Sequence, residues 1–214
     1  MITLYGYWRS SASYRVRIAL ALKGLDYDYI PVNLLKGEQR DAAYLAINPL
    51  ALVPSLKTTD GAVLTQSLAI IEYLEEQFPS PSLLPRAPEK RAKARAAAAT
   101  IACEAQPFMN LRTQQYLKKE RGFQEADMEE WLARFTMQAM LSVEKTLADE
   151  DGTYCIGTTP TIADVFLVPQ IFGAKRFGIA LEEMPRLNEV YERCVEHPAF
   201  IKAHPENQPD AVMA

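Results

Sequence analysis

A chain of 214 residues, of which 49% are hydrophobic and 23% charged, can bury a sizeable core as one domain or two small ones. Its formal net charge of -4 gives no general attraction to phosphates, which disfavours DNA or RNA as the main ligand. Its apolar residues never form the ~20-residue run of a membrane helix, and its first residues lack a secretion-signal pattern, so we expect a soluble protein that does not act at a membrane.

The first elements read as strand, helix and strand. Residues 2–5 are β-prone, residues 13–23 carry apolar side chains at helical spacing before Gly24, and residues 27–32 are β-prone again. The helix between the two strands is long enough for the crossover that parallel pairing requires. We therefore predict a βαβ unit.

A hairpin and a second long helix follow. After a polar stretch and a short helical segment, residues 53–57 and 62–65 flank the dipeptide Asp60-Gly61, which is typical of a tight hairpin turn. Gln66-Ser67 then begins an amphipathic helix. The order β-α-β-α-β-β-α is that of a thioredoxin-like α/β domain, which we place at residues 1–79.

The rest of the chain reads differently. Residues 79–88 contain four prolines, so we assign residues 80–88 to a linker. Helical patterns dominate beyond it, at residues 92–102, 127–148, from 161 onward and 185–194. The predicted fold class is α/β plus all-α: a thioredoxin-like domain, then an all-helical bundle over residues 89–214.

Cysteine and histidine are scarce. Cys103, Cys155 and Cys194 are widely spaced and form no C-x-x-C pair, which disfavours a disulfide framework and favours a reducing cytoplasm. His197 and His204 each stand before a proline near the C-terminus. We therefore expect neither a metal site nor a histidine-based catalytic triad.

Several motifs resemble those of the zeta-class glutathione transferases. The matching segments are YWRSSASYRVRIAL at residues 7–20, Asn48-Pro49 before Val53-Pro54, QSLAIIEYL at 66–74, TIAD at 161–164 and LVPQ at 167–170. The resemblance runs from about Ile2 to about Asp210. It implies the glutathione transferase fold, glutathione as cofactor, a homodimer, and the activity of a maleylacetoacetate or maleylpyruvate isomerase. It does not choose between these two dicarboxylate substrates.

The start of the first helix is the expected catalytic centre. Ser10 and Ser11 precede a helix whose free N–H groups and positive dipole end favour an anion, and a hydroxyl there can donate to a thiolate. A simple N-cap is the alternative interpretation. The resemblance implies that Ser10 stabilises the glutathione thiolate, with Ser11 and Arg9 beside it. Ala12 stands where the resembled motif has cysteine, and we expect this to lower activity only in part.

Other candidate residues bind the cofactor. Ser67, after Gln66, can hold a carboxylate at a second helix start or merely cap that helix. The resemblance implies that Gln66-Ser67 holds the γ-glutamyl end of glutathione. It also implies that Val53-Pro54 is cis and lets the Val53 backbone pair with the cysteinyl part, and that Gln39 touches the glycine end. Without the resemblance, Gln39 is an ordinary exposed glutamine.

Arginines are the expected substrate ligands, because a guanidinium binds a carboxylate through two parallel hydrogen bonds. The resemblance implies this role for Arg9, Arg112 and Arg176, although each alone fits a surface arginine. Gln106 and Asn110 lie four apart, which predicts one helical face reaching glutathione or substrate. The alternative is a helix kink at the proline between them.

The predicted reaction is a cis–trans isomerisation. The glutathione thiolate adds to the cis double bond of a maleyl β-diketo acid, rotation follows, and the thiolate leaves, so glutathione is regenerated. One alternative is a general glutathione transferase that conjugates or dehalogenates small electrophiles such as haloacids. Another is a non-catalytic binding module with the transferase fold.

Two further features are predicted to be structural. Thr161-Ile162-Ala163-Asp164 matches a capping box with aspartate in place of glutamate. Cys103, on the helix that carries Gln106, is predicted to be a buried and inert thiol.

Overall fold

The computed structural model describes residues 1–212. These residues form two compact units: Met1–Leu83 together with the chain from Glu196 onward, and Leu84–Val195. Within the described residues, no helix is both long and apolar enough to cross a bilayer.

The first unit is built on a four-stranded sheet of order β2-β1-β3-β4. Its strands are β1 (Ile2–Gly6), β2 (Tyr27–Pro31), β3 (Ser55–Lys57) and β4 (Val63–Thr65). β1 and β2 are parallel, whereas β3 runs antiparallel to both β1 and β4. Leu4 and Leu56, which pair across the centre of the sheet, are fully buried. The predicted thioredoxin-like arrangement is confirmed.

Helices connect these strands as the apolar periodicity predicts. They are α1 (Ser11–Leu22), α2 (Ala42–Leu45) and α3 (Ser67–Gln77), with a 3-10 turn at Glu38–Arg40. The hairpin between β3 and β4 turns at Gly61, whose φ of 93° lies in the left-handed region that glycine adopts without a steric penalty.

The second unit is helical. Its helices are α4 (Pro88–Thr100), α5 (Gln106–Met109), α6 (Leu111–Glu120), α7 (Glu125–Leu147), α8 (Ile162–Arg176) and α9 (Pro185–Val195), with a π-helical turn at Ile101–Ala105. α4 begins at the last proline of the predicted linker, because proline is tolerated in the first turn of a helix. α6 was not predicted, since it is mostly polar and buries only Leu117.

The predicted capping box at the start of α8 is confirmed. The Asp164 carboxylate accepts hydrogen bonds from the Thr161 amide at 2.7 Å, the Thr161 hydroxyl at 2.8 Å and the Cys155 amide at 2.8 Å. Burial is the main cause that raises the pKa of the Asp164 carboxyl, and these hydrogen bonds oppose the shift. The box therefore ties the loop before α8 to the helix itself.

The C-terminal segment differs from the predicted extent of the helical domain, which ran from residue 89 to 214. Helix α10 (Pro198–Ala203) packs against α1 of the first unit. The reason lies in its buried Phe200 and in the Ala203 carbonyl, which accepts a hydrogen bond from Arg17 Nε at 3.0 Å. Met213 and Ala214 lie outside the described residues.

Candidate active site

The turn from Tyr7 to Ser10, which we call the serine turn, leads directly into α1. Ser10 has extended φ and ψ of -69° and 118° and is the N-cap of α1. Its Oγ accepts a hydrogen bond from the Ser13 amide at 3.2 Å, and its own amide donates to the Tyr7 carbonyl at 3.0 Å. Because the Ser10 hydroxyl acts as acceptor in the cap, its proton remains available to a second group. Ser10 can therefore cap α1 and donate a hydrogen bond to a thiolate at the same time.

Helix geometry leaves the amides of Ser11 and Ala12 without intrahelical acceptors, and the positive end of the α1 dipole lies at the same place. Ser10 and Ser11 are half-buried, whereas Arg9 is exposed, with its guanidinium carbon 5.3 Å from the centroid of the Trp8 ring. This helix start can therefore bind an anion such as a thiolate.

No cysteine stands at the motif position, which Ala12 occupies as a half-buried residue of the first turn. Cys155 and Cys194 are buried in the second unit, where burial raises the pKa of both thiols. The prediction that Cys103 is buried is wrong: it is exposed in the π-helical turn. Ile101 and Ala105 continue the buried face that Ala97 and Ala98 form in α4, and Cys103, two residues from Ile101, lies off that face.

The register of the sheet brings three predicted binding segments to one end. Tyr5, close to the serine turn, pairs with Ser55, which follows Val53-Pro54. Ser55 pairs in turn with Thr65, which precedes Gln66-Ser67. Segments that lie far apart in sequence therefore meet at the same sheet end.

The Val53-Pro54 peptide is cis, as the resemblance implied. The preceding carbonyl, that of Leu52, accepts hydrogen bonds from the Tyr44 hydroxyl at 2.7 Å and from Asn48 Nδ2 at 2.8 Å. These two bonds fix the backbone that leads into Val53.

The second helix start differs from a simple serine cap. Gln66, exposed and with a φ of 70°, occupies the N-cap position, and Ser67 is the first helical residue. This left-handed conformation is costly for glutamine and is often found at functional sites. Ser67 is buried, and its Oγ accepts a hydrogen bond from the buried Arg15 at 3.3 Å. A hydroxyl backed by a guanidinium suits a carboxylate ligand.

Gln39 is not the exposed glutamine that its loop position suggested. It lies in the 3-10 turn Glu38–Arg40 with 7% of its surface exposed. Its Nε2 donates to the Leu34 carbonyl at 3.5 Å, while its buried Oε1 has no hydrogen-bond partner within residues 1–212. A buried amide oxygen without a partner can accept a hydrogen bond from an N–H group of a ligand.

The remaining predicted residues belong to the second unit. Gln106 begins α5, but Asn110 is the N-cap of α6, with an extended ψ of 155° and an Oδ1 that accepts from the Thr113 amide at 2.8 Å. The prediction of one shared helical face is therefore wrong. Arg112 is exposed in the first turn of α6, and Arg176 ends α8 with its guanidinium carbon 4.6 Å from the ring centroid of Phe177.

Three charged residues that were not predicted bind groups of the site region: Arg15 at Ser67, and Arg17 and Asp210 at Trp8. Both arginines are buried in α1, where burial lowers the pKa of Arg17 and the neighbouring Tyr29, Tyr27, Tyr14 and Asp210 oppose this shift. Two arginines within the otherwise apolar run YRVRIAL are the signal that could have identified them, because a fully buried arginine needs dedicated partners.

Comparison with known proteins agrees with this geometry. Residues 9–77 match the family Glutathione S-transferase, N-terminal domain, and residues 104–208 match Glutathione S-transferase, C-terminal domain. Maleylacetoacetate isomerase of Pseudomonas aeruginosa is 47% identical over 213 residues, covering 99% of each chain.

Solved structures give the same result. The holo structure of a maleyl pyruvate isomerase, described as a bacterial zeta-class glutathione S-transferase, has a TM-score of 0.95 at 43% identity and covers 98% of this chain and 100% of that one. Maleylacetoacetate isomerase from Methylobacterium extorquens AM1, with malonate and glutathione bound, has a TM-score of 0.94 at 38% identity, covering 99% and 100%.

The four-stranded α/β unit and the helical unit define a protein of the glutathione transferase fold. The chain belongs to the glutathione S-transferase family and, within it, to the zeta class that includes the maleylacetoacetate isomerases.

Proposed function

We propose that this protein is a glutathione-dependent cis–trans isomerase of a maleyl β-diketo acid, either maleylacetoacetate or maleylpyruvate. The observation that carries the proposal is the Ser10 cap, whose hydroxyl proton remains available at the positive end of α1. The identity to a maleylacetoacetate isomerase over the whole chain supports the same substrate class.

Bound glutathione supplies the sulfur nucleophile that converts the cis double bond into a rotatable single bond and then leaves. The Ser10 hydroxyl donates a hydrogen bond to that sulfur, and the amides of Ser11 and Ala12 place partial positive charge beside it. Both effects favour the thiolate over the thiol, whose pKa is otherwise about 8.5. The side chain of Ala12 takes no part in stabilising the thiolate.

The rest of the tripeptide is assigned to three places in the first unit. Ser67, backed by Arg15, binds the γ-glutamyl carboxylate together with Gln66. The Val53 backbone before Pro54 pairs with the cysteinyl part in the manner of an added strand. The buried Oε1 of Gln39 accepts a hydrogen bond from an N–H group near the glycine end.

The substrate carboxylates are assigned to Arg9, Arg112 and Arg176, whose forked guanidinium groups match a carboxylate in geometry. Asn110 uses its Oδ1 as a helix cap, which leaves its side-chain amino group to donate, and Gln106 is assigned beside it. We therefore propose that residues 1–79 bind glutathione and that the helical region binds the substrate.

Membership of the family supports a proposal on assembly and location. We propose a homodimer in the cytoplasm, where the exposed Cys103 stays reduced and glutathione is abundant. Val63 on the edge strand β4 is 43% exposed, as suits an apolar side chain that a second copy covers. Light scattering should give about twice the mass of one chain, and the mass of a single chain would contradict the dimer.

The function is tested by incubating the purified protein with maleylacetoacetate and, separately, with maleylpyruvate. We expect the trans fumaryl product from at least one substrate when glutathione is present, and no turnover when it is omitted. Absence of trans product from both substrates with glutathione present would contradict the proposal. A covalent glutathione adduct as the end product would instead identify a conjugating transferase.

A further inference from the structure

The serine turn is held by two charged side chains, Asp210 from the other end of the chain and Arg17 from α1. The Trp8 amide donates to Asp210 Oδ2 at 3.0 Å, across 202 positions of sequence. The Trp8 carbonyl accepts from Arg17 at 3.0 Å, and the Tyr7 carbonyl accepts more weakly from Arg17 at 3.5 Å. Both polar groups of the Trp8 backbone are therefore bound by charged side chains.

Asp210 accepts one hydrogen bond besides that from Trp8, and the segment before it is anchored separately. Its Oδ2 also accepts a hydrogen bond from the Tyr29 hydroxyl at 3.2 Å, and its Oδ1 is buried without a hydrogen-bond partner in the described chain. Two residues earlier, Gln208 Nε2 donates to the carbonyls of Lys202 at 3.1 Å and His204 at 2.8 Å. The segment after α10 is thus tied to its own helix before it reaches the turn.

Arg17 completes the arrangement from within α1. Its Nε donates to the Ala203 carbonyl at 3.0 Å, at the end of α10, while its other nitrogens reach the turn. Arginine stays charged even when buried, so Arg17 also offsets the negative charge of Asp210. One buried side chain therefore links α1, α10 and the serine turn.

The turn transmits this constraint to Ser10. The Ser10 amide bonds to the Tyr7 carbonyl, and the Ser10 carbonyl accepts from the Tyr14 amide at 2.8 Å. Hydrogen bonds therefore connect residues 7–10 to the start of α1, and Asp210 anchors this piece at Trp8. Displacement of a catalytic group by about 1 Å can cost on the order of 10²-fold in rate.

We propose that Asp210 is a positioning residue of the thiolate site: by holding the Trp8 amide, it fixes where the Ser10 hydroxyl and the first-turn amides of α1 point. This inference rests on the proposed role of Ser10 toward glutathione. The role belongs to the hydrogen-bond acceptor of Asp210 and is independent of its negative charge.

The test is a pH titration of the thiolate absorbance of protein-bound glutathione. It compares the wild type with Asp210→Ala, Asp210→Asn, Tyr29→Phe and Ser10→Ala. Asp210→Asn keeps an acceptor for Trp8, and Tyr29→Phe removes the other donor to the same carboxylate without touching the turn. A charge effect and a positioning effect have opposite signs, because loss of a nearby negative charge lowers a thiol pKa.

We expect Asp210→Ala to raise the pKa of the bound thiol by about one unit, which makes the ratio of thiolate to thiol roughly tenfold smaller at a fixed pH. Asp210→Asn and Tyr29→Phe should stay close to wild type. The inference is overturned by a wild-type pKa in folded Asp210→Ala, by a lowered pKa in both Asp210 variants, or by an equal rise in Tyr29→Phe.

Hydrogen exchange of the wild-type protein tests the same inference without a variant that could misfold. In the wild-type protein the Trp8 amide should exchange its hydrogen slowly, and exchange as fast as in an unstructured peptide would overturn the inference. The proposed role of Ser10 is tested separately from that of Asp210, because Ser10→Ala must raise the thiol pKa if Ser10 binds the thiolate. If Ser10→Ala leaves that pKa unchanged, the proposed function of Ser10 fails, whatever Asp210 does.

Discussion

Ser10→Ala is expected to lower kcat/KM for the isomerisation by about 10²–10³-fold, the effect of removing one preorganised donor from a developing or stabilised anion. The reason is that Ser10 places its free hydroxyl proton at the positive end of α1. Steady-state kinetics at fixed glutathione concentration measures the effect. The thermal midpoint should fall as well, because loss of an N-cap costs about 1 kcal/mol.

Two further variants at the same position separate the cap from the catalytic hydroxyl. Ser10→Thr keeps both a cap and a hydroxyl, so it should retain most of the activity. Ser10→Asp keeps a cap acceptor but replaces the hydroxyl by a negative charge, so it should retain stability and lose activity. If Ser10→Ala folds and turns over within about twofold of wild type, the assignment of Ser10 is wrong.

Asp164→Ala is expected to cost about 3–5 kcal/mol of unfolding free energy. It removes a buried carboxylate that accepts hydrogen bonds from both the amide and the hydroxyl of Thr161 and from the Cys155 amide. Those donors would remain buried without acceptors, and the loop before α8 would lose its attachment. Urea unfolding, followed by Trp131 fluorescence in a Trp8→Phe background, reports on this unit.

The matched control is Asp127→Ala. Asp127 forms the corresponding capping box of α7, where it accepts from the Gln124 amide at 2.8 Å, but it is exposed. Water replaces the lost partner there, so the cost should be about 1 kcal/mol or less. Equal losses for Asp164→Ala and Asp127→Ala would contradict the importance assigned to burial.

Local patterns predicted the element order well. The period of apolar residues, the Asp60-Gly61 turn and the proline-rich segment each act over a few residues, and the corresponding strands and helices lie close to their predicted positions. The C-terminal segment was misplaced because its partner, Arg17, lies 186 positions away in the sequence. No local signal records such a contact.

The errors at Asn110 and Cys103 arise instead from local features of the helices. Gln106 and Asn110 would share a face only on a continuous helix, but the Asn110 side chain competes for the backbone and caps α6 instead. Cys103 lies off the buried face that Ala97, Ile101 and Ala105 share, so the helical spacing of the small apolar residues already excluded its burial. Ser67 was predicted as a binding residue, yet its partner Arg15 emerges only when α1 and α3 are packed together.

In the proposed reaction glutathione is a cofactor that is regenerated, and a glutathione balance over many turnovers tests this. The wild-type enzyme is incubated with excess maleyl substrate, and free glutathione is quantified together with the trans product. We expect the glutathione concentration to stay constant while many equivalents of fumaryl product accumulate. Consumption of one glutathione for each substrate molecule converted would contradict it.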